Sequence, residues 1–444
     1  MKILVIHQYY LMPGSPGGSR FNEFARLWAA AGHEVTVVAG NLDYATGAVP
    51  ERYHGRWITR EQDGDVTVLR CHVPRTYNKS YAVAWRPFRP HTLSSTHAAM
   101  TVARPDVVIA TSPPLVAMAP GVIAAKARWK GVPWVFEIRD LWPESAITTG
   151  VLKEGAALTR VLYAMERAAC LMADKINVLT PAFRDDLIKR GLAPADKIVF
   201  VPNGADVELF TPGPRDNDAR REFGWGDRFV VMYAGAHGRA NAVGQFLDAA
   251  ERLRDRPDIL LASVGDGPER PALEAEAKRR GLDNVRFHGA QPKSRMPEIV
   301  RACDVGAAIL QDNPTFKTVY PNKVFDYMAT ERPTLLAIDG VARKLVCDEA
   351  QAGVFAKPEN AQSLADAIRA MADDPAGCAA MGPQEGGGGG ASATRWRSAT
   401  RPGDGALRGA GPRRQPPMRL PAGEALSAIS SRRWCALGAV EDAL

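Results

Sequence analysis

Strand-length runs of Val, Ile and Leu alternate with helix-length stretches from the first residue to about residue 372, and this alternation restricts the fold more than any other feature. It marks a parallel sheet whose strands are buried on both faces by crossover helices. In the first half, strands are expected at KILVIHQ, HEVTVVAG, VTVLRC, DVVIATS, PWVFEIR, KINVLT and IVFVPNG. The series restarts after the loop TPGPRDND, with FVVMYAG, ILLASVG, VRFHGA, VGAAIL, PTLLAID and AGVFA, which puts a linker near residues 203–228. The expected class is α/β, with two Rossmann-like, doubly wound domains at residues 1–205 and 206–382. Ligands of open α/β sheets bind outside the carboxyl ends of the strands, so the two domains should face each other across a cleft. A chain of 444 residues is long enough for two such cores. Beyond Pro383 the pattern collapses into QEGGGGGASATRWRSATRPGDG; residues 383–444 read as a low-complexity tail, either disordered or the product of a shifted reading frame.

Composition narrows the function. With 46% hydrophobic and 24% charged residues the chain resembles an ordinary globular protein, and no apolar run approaches the roughly 18–20 residues of a membrane span. The start, MKILVIHQYY, alternates like a buried strand with Lys2 as its one basic residue, so it is not read as a signal peptide and a cytoplasmic location is expected. Of the +7 net charge, residues 385–444 hold nine Arg against five acids, so the folded part is nearly neutral and nucleic acid is not an expected partner. The six cysteines, Cys71, Cys170, Cys303, Cys347, Cys378 and Cys435, form no C-x-x-C pair and should be reduced thiols. Asp216-Asn217-Asp218 falls in the linker rather than at a strand end, so no metal site is expected.

Several strand ends carry candidate chemistry. The loop PGSPGGSR, 13–20, follows the first strand; Gly17 and Gly18 would let backbone N–H groups approach a ligand, with Arg20 opening the next helix. It is not G-x-G-x-x-G, and Asp43 is weak support for a ribose site, which disfavours a dinucleotide oxidoreductase. FEIRDLWPESA, 136–146, sets Glu137, Arg139, Asp140 and Glu144 at the carboxyl edge of the first sheet. Charges there are costly to bury unless they meet a polar ligand or each other. Carboxylates and a guanidinium suit sugar hydroxyls, and Trp142 offers a face to a pyranose ring. The plainer alternative is an internal ion-pair network through Arg139.

In the second half, FVVMYAG runs into AHGRANAVG, placing Gly235, Gly238 and Arg239 at a strand-to-helix turn suited to a diphosphate. VGDGPER, 264–270, follows the same logic in a supporting role. FKTVYPNKVFDYMATERP, 316–333, is the most informative stretch. Pro321 suits a helix start, the amides near Asn322 and Lys323 would receive a phosphate, and Val319 and Tyr320 lead into the turn. Lys317 and Lys323 add positive charge, and Asp326, one turn on, is placed to accept hydrogen bonds from ribose hydroxyls. Gln291 follows VRFHGA as a candidate base contact. Between Arg75 and Arg89, Tyr77, Tyr81, Trp85 and Phe88 interleave with Lys79 and Arg86, a mixture suited to an anionic membrane surface.

Four of these stretches, EIRDLWPES at 137–145, VLTPAF at 178–183, VPNGADVELF at 201–210 and YPNKVFDYMATERP at 320–333, together resemble the family-4 retaining glycosyltransferases, especially the WbuB-like branch that builds O-antigen and exopolysaccharide. The resemblance covers residues 1 to about 382. It implies a GT-B fold, a nucleotide-sugar donor held by the second domain, with a UDP-sugar expected first, and a lipid-linked glycan acceptor on the first, with peripheral contact to the inner membrane. It implies no cofactor and no metal. The reacting centre would be served by Arg239, Lys323, Arg139 and Asp140, the donor by Gly235, Gly238, Gln291, Val319, Tyr320, Pro321, Asn322 and Asp326. The acceptor would meet Gly17, Gly18, Arg20, Glu137, Trp142 and Glu144. In such a reaction the leaving diphosphate accumulates negative charge that the protein must stabilise. Two positions depart from the family: Val243 stands where a second basic residue is frequent, so Lys317 or Lys323 would supply that charge, and Thr318 stands where the first of two paired acids is expected. The rival readings are a sugar-nucleotide epimerase of the same fold and a catalytically dead GT-B binding subunit.

Overall fold

The computed structural model describes residues 1–381 apart from 16, 18–19, 44–46, 74–84, 116–118 and 120–122. The tail at 383–444 and most of the aromatic stretch 75–89, including the side chains of Trp85 and Phe88, lie outside the described residues.

Fourteen strands form two sheets among the described residues. The first holds β1 (Lys2–Ile6), β2 (Glu34–Gly40), β3 (Ile58–Asp63), β4 (Val66–Cys71), β5 (Val107–Ser112), β6 (Trp134–Ile138), β7 (Lys175–Val178) and β8 (Ile198–Phe200), in the order β3-β4-β2-β1-β5-β6-β7-β8. The second holds β9 (Phe229–Ala234), β10 (Ile259–Val264), β11 (Val285–Gly289), β12 (Val305–Ile309), β13 (Thr334–Ala337) and β14 (Gly353–Phe355), in the order β11-β10-β9-β12-β13-β14. Every pairing is parallel except β3 with β4. The expected two-sheet α/β architecture is the one observed. VVIATS, FVVMYA and ILLASV are buried at every residue, as strands covered on both faces must be. The strand missing from the sequence reading is β3, ITREQD, an antiparallel edge strand whose side chains are half-buried or exposed. Its polar composition hid it, although Asp63-Gly64, with Gly64 at φ +61°, is a hairpin turn signal.

Strand order reverses between β1 and β5 and again between β9 and β12, so each sheet has a crevice at its carboxyl edge. The two domains meet along a seam built by the segment 315–320. Val319 packs on the first-domain core, and Phe200 packs on that core and on the cluster containing Ala205, Tyr320 and Val324. Thr180 Oγ1 donates to the Thr318 carbonyl at 2.8 Å, Thr148 and Thr315 hydroxyls lie 2.8 Å apart, and Lys293 Nζ reaches Glu23 at 2.6 Å. No described helix is long and apolar enough to cross a membrane. Five cysteines are described, all free, with Cys71, Cys170, Cys303 and Cys378 buried.

Candidate active site

The second-domain crevice is set by how the helix Asn322–Ala329 lies on the sheet. Val324, Phe325, Tyr327 and Met328 are buried, while Lys323 and Asp326 share the remaining face. Tyr327 lies against Gly306, where an added Cβ would come within 2.4 Å of the ring, and its hydroxyl accepts from Ala234 N at 3.2 Å and donates to the Ala307 carbonyl at 3.2 Å. One helical turn towards the amino end, Lys323 therefore falls just beyond the last residue of β9. A Cβ on Gly235 would sit 2.9 Å from its ammonium. Gly235 is at φ +147°, a conformation few side chains adopt, so glycine is needed there for both backbone and space.

The Lys323 ammonium lies 3.7 Å from the Tyr233 ring centroid. The residue keeps some surface, yet desolvation of the ammonium, the one cause of its shift, pushes its pKa down to about 7. No carboxylate among the described residues pairs with it. A cation so placed is costly to bury, and an anion beside it would relieve that cost. The helix itself is capped by Pro321 in extended conformation with no side-chain cap, which leaves the Asn322 and Lys323 amides without intrahelical carbonyls. The ammonium thus reaches the carboxyl end of β9 from the first turn of this uncapped helix.

Around this point the two glycine turns pack backbone against backbone. A Cβ on Gly265 would lie 1.9 Å from the Gly235 carbonyl oxygen, and one on Gly267 would lie 2.6 Å from the His237 oxygen. The Tyr233 hydroxyl donates to Ala236 O at 2.7 Å. His237 is buried, with Nε2 2.6 Å from Ser263 Oγ, and burial lowers its pKa. Sequence reasoning gave VGDGPER only a supporting role and passed over His237 and Ser263; glycines at the ends of adjacent strands were the available signal. Gly238 begins a short turn, Arg239–Asn241, in which Arg239 is exposed and has no ion pair among the described residues. Val243 is core, so the family's second basic position is closed here. Lys317 is engaged by Asp312 at 3.1 Å, which leaves Lys323 as the cation nearest Gly235.

Other sequence-selected residues are less central. The Tyr320 ring is buried against Phe325 at 6.1 Å, so only its backbone is available to a ligand. Thr318 is used locally, its hydroxyl donating to the Thr315 carbonyl at 2.6 Å. Gln291 donates to the His288 carbonyl at 2.9 Å, beyond β11 and two strands from β9.

On the first domain, Glu137 and Arg20 are spent on each other. Arg20 Nε donates to Glu137 Oε1 at 3.0 Å and Nη2 to Oε2 at 3.2 Å, while the guanidinium also donates to the Val201 and Pro202 carbonyls at 2.8 and 2.6 Å. Asn177 Nδ2 completes Glu137 at 2.8 Å. Both side chains are less than a tenth exposed, so this pair joins the first helix, β6 and the interdomain crossover rather than facing a sugar. Arg139 and Asp140 stand at the carboxyl end of β6, with the Asp140 carboxyl raised above its ordinary pKa by burial. Trp142 is partly buried against the core, and Glu144 is exposed and accepts from the Tyr163 hydroxyl. Gly17 is exposed at φ +140°; Gly18 lies outside the described residues. No cluster of three metal-ligating side chains occurs among the described residues.

The chain is 26% identical over 378 residues to the putative colanic acid biosynthesis glycosyl transferase WcaI of Escherichia coli (strain K12), covering 83% of this chain and 91% of that protein. It is 26% identical over 272 residues to the probable glycosyltransferase WbjE of Pseudomonas aeruginosa, covering 60% of this chain and 66% of the other. Among solved structures, sucrose-phosphate synthase from Thermosynechococcus elongatus superposes with a TM-score of 0.68 at 17% identity, covering 99% of this chain and 97% of the other. HepE of Anabaena, in complex with UDP, superposes with a TM-score of 0.63 at 18% identity, covering 100% of this chain and 98% of the other. Residues 17–204 match the glycosyl transferase 4-like domain and residues 228–374 the glycosyl transferases group 1 domain, and the chain is a glycosyltransferase of the GT-B fold.

Proposed function

We propose that this glycosyltransferase moves a sugar, with retention, from a nucleoside-diphosphate sugar to a growing, lipid-linked surface-polysaccharide acceptor. Residues 206–382 hold the donor and residues 1–205 the acceptor. The observation that carries the reading is Lys323: a desolvated cation with no carboxylate partner among the described residues, held under Gly235 beside the open amino end of the helix Asn322–Ala329.

A diphosphate seated there takes hydrogen bonds from the Asn322 and Lys323 amides and the Lys323 ammonium, and Arg239 closes over it from the surface. As the glycosidic bond to the diphosphate breaks, negative charge gathers on the leaving oxygens, and these donors stabilise it in a site poor in water. Asp326, on the same face as Lys323, accepts from ribose hydroxyls. Arg139 and Asp140 stand opposite, at the edge of the first sheet, where the sugar and acceptor meet. The exopolysaccharide assignment is supported by the colanic acid transferase relative, and a uridine nucleotide is the first donor to try because a protein of the same fold binds UDP.

The direct test is a thermal-shift screen against UDP-, GDP-, ADP- and dTDP-glucose. A ligand at 100 times its Kd adds about 2.7 kcal/mol, so one nucleotide should stand out. Absence of stabilisation by all four would refute the donor site. The anomeric configuration of the product, read by NMR, tests retention.

A further inference from the structure

Two parts of the candidate donor site come from opposite faces of the second sheet. Along β9, Phe229, Val231 and Tyr233 turn towards the layer of the helix Gly244–Arg252, where they share a core with Phe246, Leu247 and Ala250. Val230, Met232 and Ala234 turn the other way and pack with Tyr327 of the helix Asn322–Ala329. Lys323 belongs to that second helix, so its side chain meets Tyr233 by crossing the carboxyl end of the strand.

The crossing point is Gly235. An added Cβ there would lie 2.9 Å from the Lys323 ammonium and 3.3 Å from the Tyr233 hydroxyl, so both groups close around a residue that has no side chain. The ammonium ends 3.7 Å from the centroid of the Tyr233 ring, well within the range at which a ring face attracts a cation. His237 meets the same ring edge-on, with centroids 5.7 Å apart. The Tyr233 hydroxyl donates to the Ala236 carbonyl at 2.7 Å, one residue beyond the crossing point. Burial raises the pKa of this phenol, so it stays protonated and remains a donor.

Packing alone would be served by phenylalanine at this fully buried position. The hydroxyl adds a bond to the glycine turn, and the ring adds an attraction to a lysine that has no carboxylate partner among the described residues. A lysine is a flexible point charge, and a ring face that attracts it chooses where it rests before a ligand arrives. One side chain therefore fixes two things that a diphosphate would need together: the position of a cation and the course of the turn beside it.

We propose that Tyr233 is a positioning residue of the donor site: its ring holds the Lys323 ammonium at the end of β9, and its hydroxyl ties down the turn after Gly235 through the Ala236 carbonyl. This rests on the donor side of the function proposed above. The ring also favours the charged form of the lysine, which desolvation opposes. Other ionisable groups act at the same point: His237 from the turn after β9, Asp266 and Arg270 from the turn after β10, and Asp326 and Tyr327 from the lysine's own helix. Burial lowers the His237 pKa from its ordinary value, which keeps its titration below that of the ammonium.

The test uses the full chain with lysine labelled at the ε carbon, the Lys323 NMR signal being identified by its loss in Lys323→Met. In wild type without nucleotide, the Lys323 ε protons should be displaced upfield by the ring current of Tyr233. Tyr233→Phe keeps the ring, so that displacement and the titration midpoint of Lys323 should stay as in wild type. Its UDP affinity, by calorimetry, should fall about fivefold, the scale of one neutral hydrogen bond. Tyr233→Leu removes the ring, so the displacement should vanish and the midpoint should fall by about one pH unit, as loss of a desolvated cation–π contact requires. A merely structural tyrosine would leave the midpoint where it is. An unchanged midpoint in Tyr233→Leu, or equal UDP affinity in Tyr233→Phe, overturns the proposal. Should Tyr233→Leu fail to fold, the wild type decides: Lys323 ε protons without upfield displacement overturn it, and displaced ones support it. The NMR measurements need no nucleotide, so failure of wild type to bind UDP would count against the donor reading while the hold of Tyr233 on Lys323 is decided separately.

Discussion

Replacing Lys323 by Met separates the two roles assigned to its ammonium. In the free protein the folded-state pKa is about 7 against about 10.5 for an exposed lysine. Between those values the unfolded chain binds more protons than the folded one, so stability rises with pH through that window and the penalty is complete below pH 7. A shift of about 3.5 pH units corresponds at most to roughly 5 kcal/mol, and the cation–π contact with Tyr233 and the residue's partial exposure reduce it. Lys323→Met should therefore raise unfolding stability by about 1–3 kcal/mol at pH 6, a gain that fades towards pH 10. Its UDP affinity should fall by about 1.5–3 kcal/mol, the size of a charge-assisted hydrogen bond. The diphosphate also restores the ammonium, so UDP binding to wild type at pH 8 should take up most of one proton, roughly 0.8 to 0.9 if the pKa rises from about 7 to 9 or more. Calorimetry in two buffers of different ionisation enthalpy measures that uptake, and urea melts at pH 6 and pH 10 measure the stability change. UDP binding without proton uptake, together with a variant that binds UDP within twofold of wild type, would refute the site.

Arg239→Ala should leave the melting temperature unchanged, because the side chain is exposed and has no ion pair among the described residues, yet weaken UDP by about 1–3 kcal/mol, less at high salt; equal affinity by calorimetry would remove Arg239 from the donor site. Glu137→Gln should do the opposite, costing about 3–5 kcal/mol in urea denaturation by stranding the buried Arg20 guanidinium while UDP affinity is retained. Stability unchanged by Glu137→Gln would return that carboxylate to the acceptor. Gly265→Ala should abolish UDP binding in whatever protein still folds, since its Cβ would lie 1.9 Å from the Gly235 oxygen; calorimetry on the soluble fraction checks this.

The fold was legible because strands buried on both faces must be apolar throughout, and FVVMYA or VVIATS admits few other readings. β3 escaped because an edge strand facing solvent loses that signature. The site divides along a different line. Lys323 and Glu137 look alike in sequence: each is a charge close to a buried apolar run. What separates them is hydrogen-bonding capacity, which depends on residues far away in the chain. Glu137 meets Arg20, 117 residues earlier, and Asn177, 40 residues later, and its two oxygens are filled. Lys323 meets an aromatic face and a glycine, neither of which can take up an ammonium's charge, and no carboxylate among the described residues pairs with it. Local sequence shows that a charge must be compensated; only the packing of distant strands shows whether the protein or the ligand does it.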